Sequence, residues 1–190
     1  WFELEHDQLG YDFGTFTDRF NRLDEALQII LPMIKGERPT FSGSYYRATE
    51  ALANPLFREH IPLMIGGSGE KKTIPLAARH FDHLNVIAGF DQLPQKVKVV
   101  QARCEDIGRD PATLETSALI TVLLDDNIAP DQIPAEMTQR MAAGSPDSVA
   151  DQLKTQVIDA GIDSLIINIP FYTPGIVTAA GEALRPVVGL

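Results

Sequence analysis

Hydrophobic and polar positions change their period along the chain. Between residues 18 and 35, Leu23, Leu27, Ile30 and Ile34 recur every three or four residues, which puts them on one face of a helix from Asp18 to Lys35. Thr17 or Asp18 is expected to cap its start, and Gly36 follows its end. Thr40 to Ala48 reads as a small hairpin, with Phe41 before a Ser42-Gly43 turn and Tyr45-Tyr46 after it. From Ile61 onward, short apolar runs alternate with helical stretches. Strands are expected at Ile61–Ile65, Phe81–Val86, Leu119–Leu124 and Ser164–Ile169. Helices are expected at Lys71–His80 and at Gln92–Ile107, where Val97, Val100, Cys104 and Ile107 share a face. A short helix fits Pro134–Ala143. Ser145 as cap with Pro146 in the first turn opens another helix to Ala160, ended by Gly161. Thr173-Pro174 repeats the device for a last helix to Leu184.

Continuous apolar strands alternating with helices belong to a buried parallel sheet, so the class is α/β. Two architectures fit: an open doubly wound sheet, or half of an eight-stranded (β/α)8 barrel, whose full form needs about 250 residues. No linker rich in Gly, Ser or Pro divides the chain, so residues 1–190 read as part of one domain, with a small hairpin insertion near 39–48.

Composition narrows the partners. The chain has 190 residues, 44% hydrophobic and 22% charged, which excludes global disorder. Its 16 Lys and Arg stand against 26 Asp and Glu, a formal charge of −10, which argues against a nucleic-acid partner. No apolar stretch approaches the roughly 18 residues of a membrane span. The single Cys104 fits a reducing, cytoplasmic setting. The chain opens at Trp1 without an initiator Met, as expected of a piece of something longer.

The most informative stretch runs from Met64 to Thr73, where an apolar strand enters Gly66-Gly67-Ser68-Gly69 and then a helix. Glycines let backbone N–H groups approach an anion, and a helix N-terminus adds about half a positive charge. Ser68 and Thr73 offer hydroxyls, and Lys71 or Lys72 a full charge. A P-loop would need a glycine just before its Lys-Ser/Thr pair, but Lys71 precedes Lys72-Thr73; a dinucleotide fingerprint would need glycine at Lys72. The turn therefore holds a phosphate or is a plain strand-to-helix connection. His80 and His83 have no third ligand at metal spacing, and His60 lies beside Glu59 in a loop. His6, among Glu3 and Glu5, either does acid/base work or belongs to a solvated helix start. Cys104 reads as a small buried hydrophobe, and Ser68 has no hydrolase partners. Asp125-Asp126, and Asp106 with Asp110, read as solvated surface.

The order of several motifs resembles the luciferase-like monooxygenase superfamily, especially its coenzyme F420-dependent oxidoreductases. They are Trp1-Phe2-Glu3-x-Glu5-His6 with Gly10, Arg19-Phe20, Arg22-Leu23-x-Glu25-Ala26-Leu27, and Phe41-x-Gly43-x-x-Tyr46. Pro62-Leu63-x-Ile65-Gly66-Gly67-x-Gly69, Ala77-Ala78-Arg79 with Asp82 and Asn85, and Gly108-Arg109-Asp110-Pro111 follow. Gly144-Ser145-Pro146 and Ala160-Gly161-Ile162-Asp163 close the series. The resemblance implies a (β/α)8 TIM barrel of the bacterial luciferase-like type, of which this chain is the C-terminal half, strands five to eight. It implies a deazaflavin cofactor, F420, or alternatively FMN, with Gly66, Gly67, Ser68, Gly69 and Thr73 around its phosphate and Trp1 near its ring. Asn85 and Asn168, at two strand ends, would face the pocket. No catalytic residue is assigned, and no metal is implied.

The function expected on this basis is hydride transfer to or from a small organic substrate through F420. FMN-dependent monooxygenation, a non-catalytic flavin- or phosphate-binding barrel, and a phosphosugar enzyme are the alternatives. The full-length protein is expected to be a homodimer, and the isolated chain inactive and prone to pair or aggregate through open strand edges.

Overall fold

The computed structural model describes residues 2–53, 58–124, 133–187 and 189. The chain divides into two compact units, Trp1–Ile61 and Pro62–Leu190.

In the first unit, α1 (Glu3–Leu9) precedes the long α2 (Phe16–Ile34) and a two-stranded antiparallel hairpin, β1 (Phe41–Ser42) with β2 (Arg47–Ala48). The cap of α2 is Thr15, earlier than expected, in a reciprocal capping box. The Asp18 N–H donates to Thr15 Oγ1 at 3.1 Å, and the Thr15 N–H to Asp18 Oδ2 at 3.0 Å. Tyr45 and Tyr46 lie in the hairpin's turn and not in its second strand. The reason is Glu25 of α2, whose carboxylate accepts the N–H groups of Ser44, Tyr45 and Tyr46 at 2.8, 2.8 and 3.0 Å.

The second unit is a parallel sheet with helices: β3 (Met64–Gly66), α3 (Thr73–His80), β4 (His83–Val86), α4 (Leu93–Glu105) and β5 (Glu115–Leu123). Then come α5 (Ala135–Thr138), β6 (Met141–Ala143), α6 (Pro146–Leu153), β7 (Ser164–Asn168) and α7 (Ile176–Leu184). The strands lie in chain order, β3 beside β4 and β4 beside β5, with β7 on the other side of β5. Thr121 pairs with both Met141 and Asn168, so β6 lies on β4's side of β5, along its later half. Apart from the short β6, strand order does not reverse, and side chains of α3, α4 and α6 join Leu84, Val86, Ala118, Ile120 and Val122 in one apolar cluster. Helices on a single face and the run β3-β4-β5-β7 in chain order are those of a barrel wall, which decides against a doubly wound sheet.

Several expectations are corrected in detail. β6 was not foreseen, because Met-Ala-Ala carries no β-branched signal; the far end of β5 makes it a strand by offering a partner. β5 begins at Glu115 and not at Leu119, since its polar first half finds partners: Asp163 Oδ2 accepts the Thr116 N–H and hydroxyl at 2.7 and 2.8 Å. The helix opened by Ser145, whose hydroxyl accepts the Ser148 N–H, changes at Lys154–Ile158 into a π-turn. α7 starts behind Gly175 (φ +87°) with no side-chain cap, so Thr173-Pro174 does not open it. A left-handed residue breaks the helical path that Pro174 would otherwise begin.

Two quoted motifs prove to be scaffolding. Arg109 closes the C-terminus of α3, its Nη1 donating to the Ala78 and Phe81 carbonyls at 2.9 and 2.8 Å. A cation there satisfies orphan carbonyls at the negative end of the helix dipole. Asp82, just before β4, accepts the Leu63 N–H at 2.8 Å, as Asp163, just before β7, accepts that of Thr116. Cys104 is fully buried among apolar side chains, and desolvation pushes its thiol pKa up. No helix among the described residues is long and apolar enough to cross a membrane.

Candidate functional site

The glycine turn lies at the carboxyl end of β3, where parallel α/β sheets hold their ligands. Gly66 ends the strand, and the Gly67 N–H donates to the Asn85 carbonyl at 2.9 Å, tying the turn to β4. Gly67 sits at φ +139°, and a Cβ there would come within 3.1 Å of Thr73 Cγ2. At Gly69 a Cβ would lie 3.0 Å from Thr73 Oγ1. The backbone thus folds closely over Thr73, which is 8% exposed, and side chains at either glycine would fill that space. The Ile74 N–H turns back to the Gly69 carbonyl at 3.0 Å, closing the loop into the helix.

Donors are left over at this corner. α3 begins at Thr73, two residues later than expected, behind Lys72, with no side-chain cap. Among the described residues, no protein group accepts the backbone N–H of Ser68, Gly69, Glu70 or Lys71. Four such amides and an uncapped helix start fit an anion such as a phosphate. Of the expected site residues, Gly66, Gly67, Ser68, Gly69 and Thr73 come together here, whereas Trp1 lies outside the described residues, as do Asp125-Asp126 of the expected solvated surface.

The sheet face away from the helices carries a polar network that the linear reading missed. His83 Nε2 lies 2.7 Å from Ser117 Oγ, which also accepts from Asn85 Nδ2 at 2.8 Å. Glu115 Oε2 lies 3.8 Å from His83 Nδ1, and Ser164 Oγ donates to Glu115 Oε1 at 3.0 Å. Ser117 Oγ thus lies between the Asn85 amide and one ring nitrogen of His83, with Glu115 beside the other. Ser117 is fully buried, which removes it as a nucleophile and makes the network a brace across β4, β5 and β7. Asn85 belongs to this brace, and Asn168 Nδ2 approaches Thr121 Oγ1 at 3.4 Å. The signal was present: His83, Asn85 and Ser117 are polar residues on alternate positions of otherwise apolar strands. His80, on the exposed end of α3, takes no part in the brace. His6, in the first unit, makes an Nδ1 contact of 2.9 Å with the Phe2 carbonyl and packs edge-on to Phe13.

Comparison with known proteins follows this geometry. Residues 1–130 match the family model of luciferase-like monooxygenases, and the chain belongs to that family. An F420-dependent hydroxymycolic acid dehydrogenase of Mycobacterium tuberculosis is 31% identical over 118 residues, 62% of this chain and 32% of that protein. An F420-dependent glucose-6-phosphate dehydrogenase of Microbacterium testaceum is 37% identical over 70 residues, 37% of this chain and 21% of its own length. The chain therefore spans about a fifth to a third of these relatives. Among solved structures, an F420-dependent secondary alcohol dehydrogenase bound to an F420-acetone adduct superposes with TM-score 0.79 at 16% identity. That match covers 93% of this chain and 64% of the other. EDTA monooxygenase from Chelativorans sp. gives 0.75 at 16% identity, covering 96% and 62%. The fold is that of the luciferase-like (β/α)8 barrel, and the five parallel strands β3 to β7 form part of its wall.

Proposed function

We propose that the protein is an oxidoreductase that moves hydride between coenzyme F420 and a small organic substrate, and that the turn from Gly66 to Gly69 holds the coenzyme's phosphate. The carrying observation is the set of four backbone amides, from Ser68 to Lys71, left without protein acceptors beside an uncapped helix. The F420-dependent relatives supply the choice of coenzyme, which when bound supplies the hydride chemistry itself. The chain's own part is positional. Gly67 and Gly69 keep Cβ atoms out of the cradle, Thr73 and Ser68 contribute hydroxyls, and the bond from Gly67 to Asn85 fixes the turn against the brace. An FMN phosphate would suit the same turn, and the monooxygenase neighbour favours that second reading.

Fluorescence titration of the natural full-length protein with F420 and with FMN separates the two. Wild type is expected to bind F420, and Gly69→Val to weaken it at least about tenfold, a loss of about 1.4 kcal/mol. Gly67→Val adds backbone strain of about 1–3 kcal/mol from its positive φ and is expected to weaken binding further. A folded protein that binds neither coenzyme overturns the redox reading.

A further inference from the structure

Next to the turn, the surface of an acidic protein becomes basic. The whole chain has 16 Lys and Arg against 26 Asp and Glu, yet residues 70–109 hold seven against five. A groove of about 390 Å3 begins at the turn and runs along α3 and the end of α4, lined by Glu70, Lys71, Arg79, Arg103, Asp106 and Ile107 among others. Its two carboxylates are already paired, Glu70 with Lys96 at 2.8 Å and Asp106 with Arg103 at 2.6 Å. Among the described residues, Lys71 and Arg79 have no ion-pair partner. Two uncompensated positive charges remain, one just before α3 and one near its end, about 12 Å apart at 1.5 Å of rise per residue.

We propose that this groove takes a chain of carboxylates continuing from the phosphate in the turn. The inference rests on the coenzyme reading above and sharpens it. A single phosphate seated on the turn amides leaves Arg79 unmatched, whereas an extended polyanion meets both cations in succession. FMN ends at its phosphate; F420 continues from its phosphodiester into glutamyl carboxylates. The groove therefore selects the deazaflavin over FMN through Lys71 and Arg79, and charges so exposed act most strongly at low salt.

The test uses the full-length protein and three probes: F420 with its glutamyl chain, the same coenzyme stripped of that chain, and FMN. At about 50 mM salt the chain-bearing form is expected to bind about tenfold tighter than the stripped form, with the advantage shrinking as salt rises. Arg79→Glu is expected to remove most of that advantage while leaving the stripped form within about twofold of wild type, whereas Lys71→Glu, beside the phosphate amides, is expected to weaken both forms. Lys98→Glu, on α4 but outside the groove, is expected to preserve the advantage. Circular dichroism checks folding, and the glutamine variants replace the glutamates if these do not fold. Equal affinity for chain-bearing and stripped coenzyme, or an advantage that survives Arg79→Glu undiminished, overturns the groove while leaving the coenzyme reading intact. Failure of all three probes to bind overturns both.

Discussion

The two units are specified by different physics. Among the described residues of the first, Leu27 alone is buried, and its local geometry is set by carboxylates that accept N–H and O–H groups. The second is built on a contiguous apolar cluster, with Ile74, Leu84, Ile120, Leu153 and Val157 fully or almost fully buried. Carboxylate clips are directional and can be erased by protons. Apolar packing is indifferent to pH but intolerant of missing volume. The site sits in the second kind of structure, where a rigid wall can hold four amides in place.

The largest expected effect tests the apolar half. Ile120 is fully buried in β5, between the helices and the middle of the sheet. Ile120→Ala removes three carbons and leaves a cavity, so unfolding free energy by urea titration is expected to fall by about 2–5 kcal/mol. A loss below about 1 kcal/mol would mean that the wall adapts to missing volume, and the contrast between the units would fail.

That contrast also explains what was legible in the sequence. Helices α2 and α4, the α/β class and the glycine turn follow from periodicity and turn chemistry, which are local. β6 and the first half of β5 were invisible because their strand character comes from partners: Leu123 and Val122 for Ala143 and Ala142, Asp163 for Thr116. The placement of Tyr45 and Tyr46 depends on Glu25, 20 residues away, which no short-range pattern reports. Within the site, the glycines were legible because close approach demands them, whereas the His83–Ser117 brace joins residues 34 apart.

The next effect tests the polar half by acid. Thr15's hydroxyl and N–H, and then the Tyr45 hydroxyl, lower the pKa of Asp18 from 3.8 to about 2. Desolvation pushes Glu25 upward, but the N–H groups of Tyr45, Ser44 and Tyr46 together outweigh it and hold its carboxyl below 4.5. Both folded-state values are depressed, so the stabilisation is present above the unfolded values and is lost as pH falls through the folded ones. The hairpin amides of residues 44–46 are expected to lose exchange protection between about pH 4.5 and 2, while those of β5 keep theirs. Amide exchange followed by NMR across that range reads both. Loss of β5 protection at the same pH would erase the distinction, as would a hairpin that persists below pH 2.

The smallest effect isolates one clip. Thr15 caps α2 and donates its hydroxyl to Asp18 Oδ2 at 2.6 Å, so one side chain serves the helix end and the carboxylate together. Thr15→Ala is expected to cost about 1 kcal/mol of helix stability through the lost cap. It is also expected to raise the Asp18 pKa from about 2 toward 3.8, because its first cause of depression is gone. Thr15→Ser keeps the hydroxyl and is expected to restore both. The two readouts are independent: a thermal melt reports the cap, and the carboxyl chemical shift of Asp18 reports the titration. If the melt falls but the shift does not move, the depression belongs to the Thr15 N–H, Tyr45 and Arg22 and not to the Thr15 hydroxyl. The acid sensitivity of the hairpin would then arise from the helix-end backbone and from where Tyr45 meets α2, and the Thr15 hydroxyl would be a bystander to it.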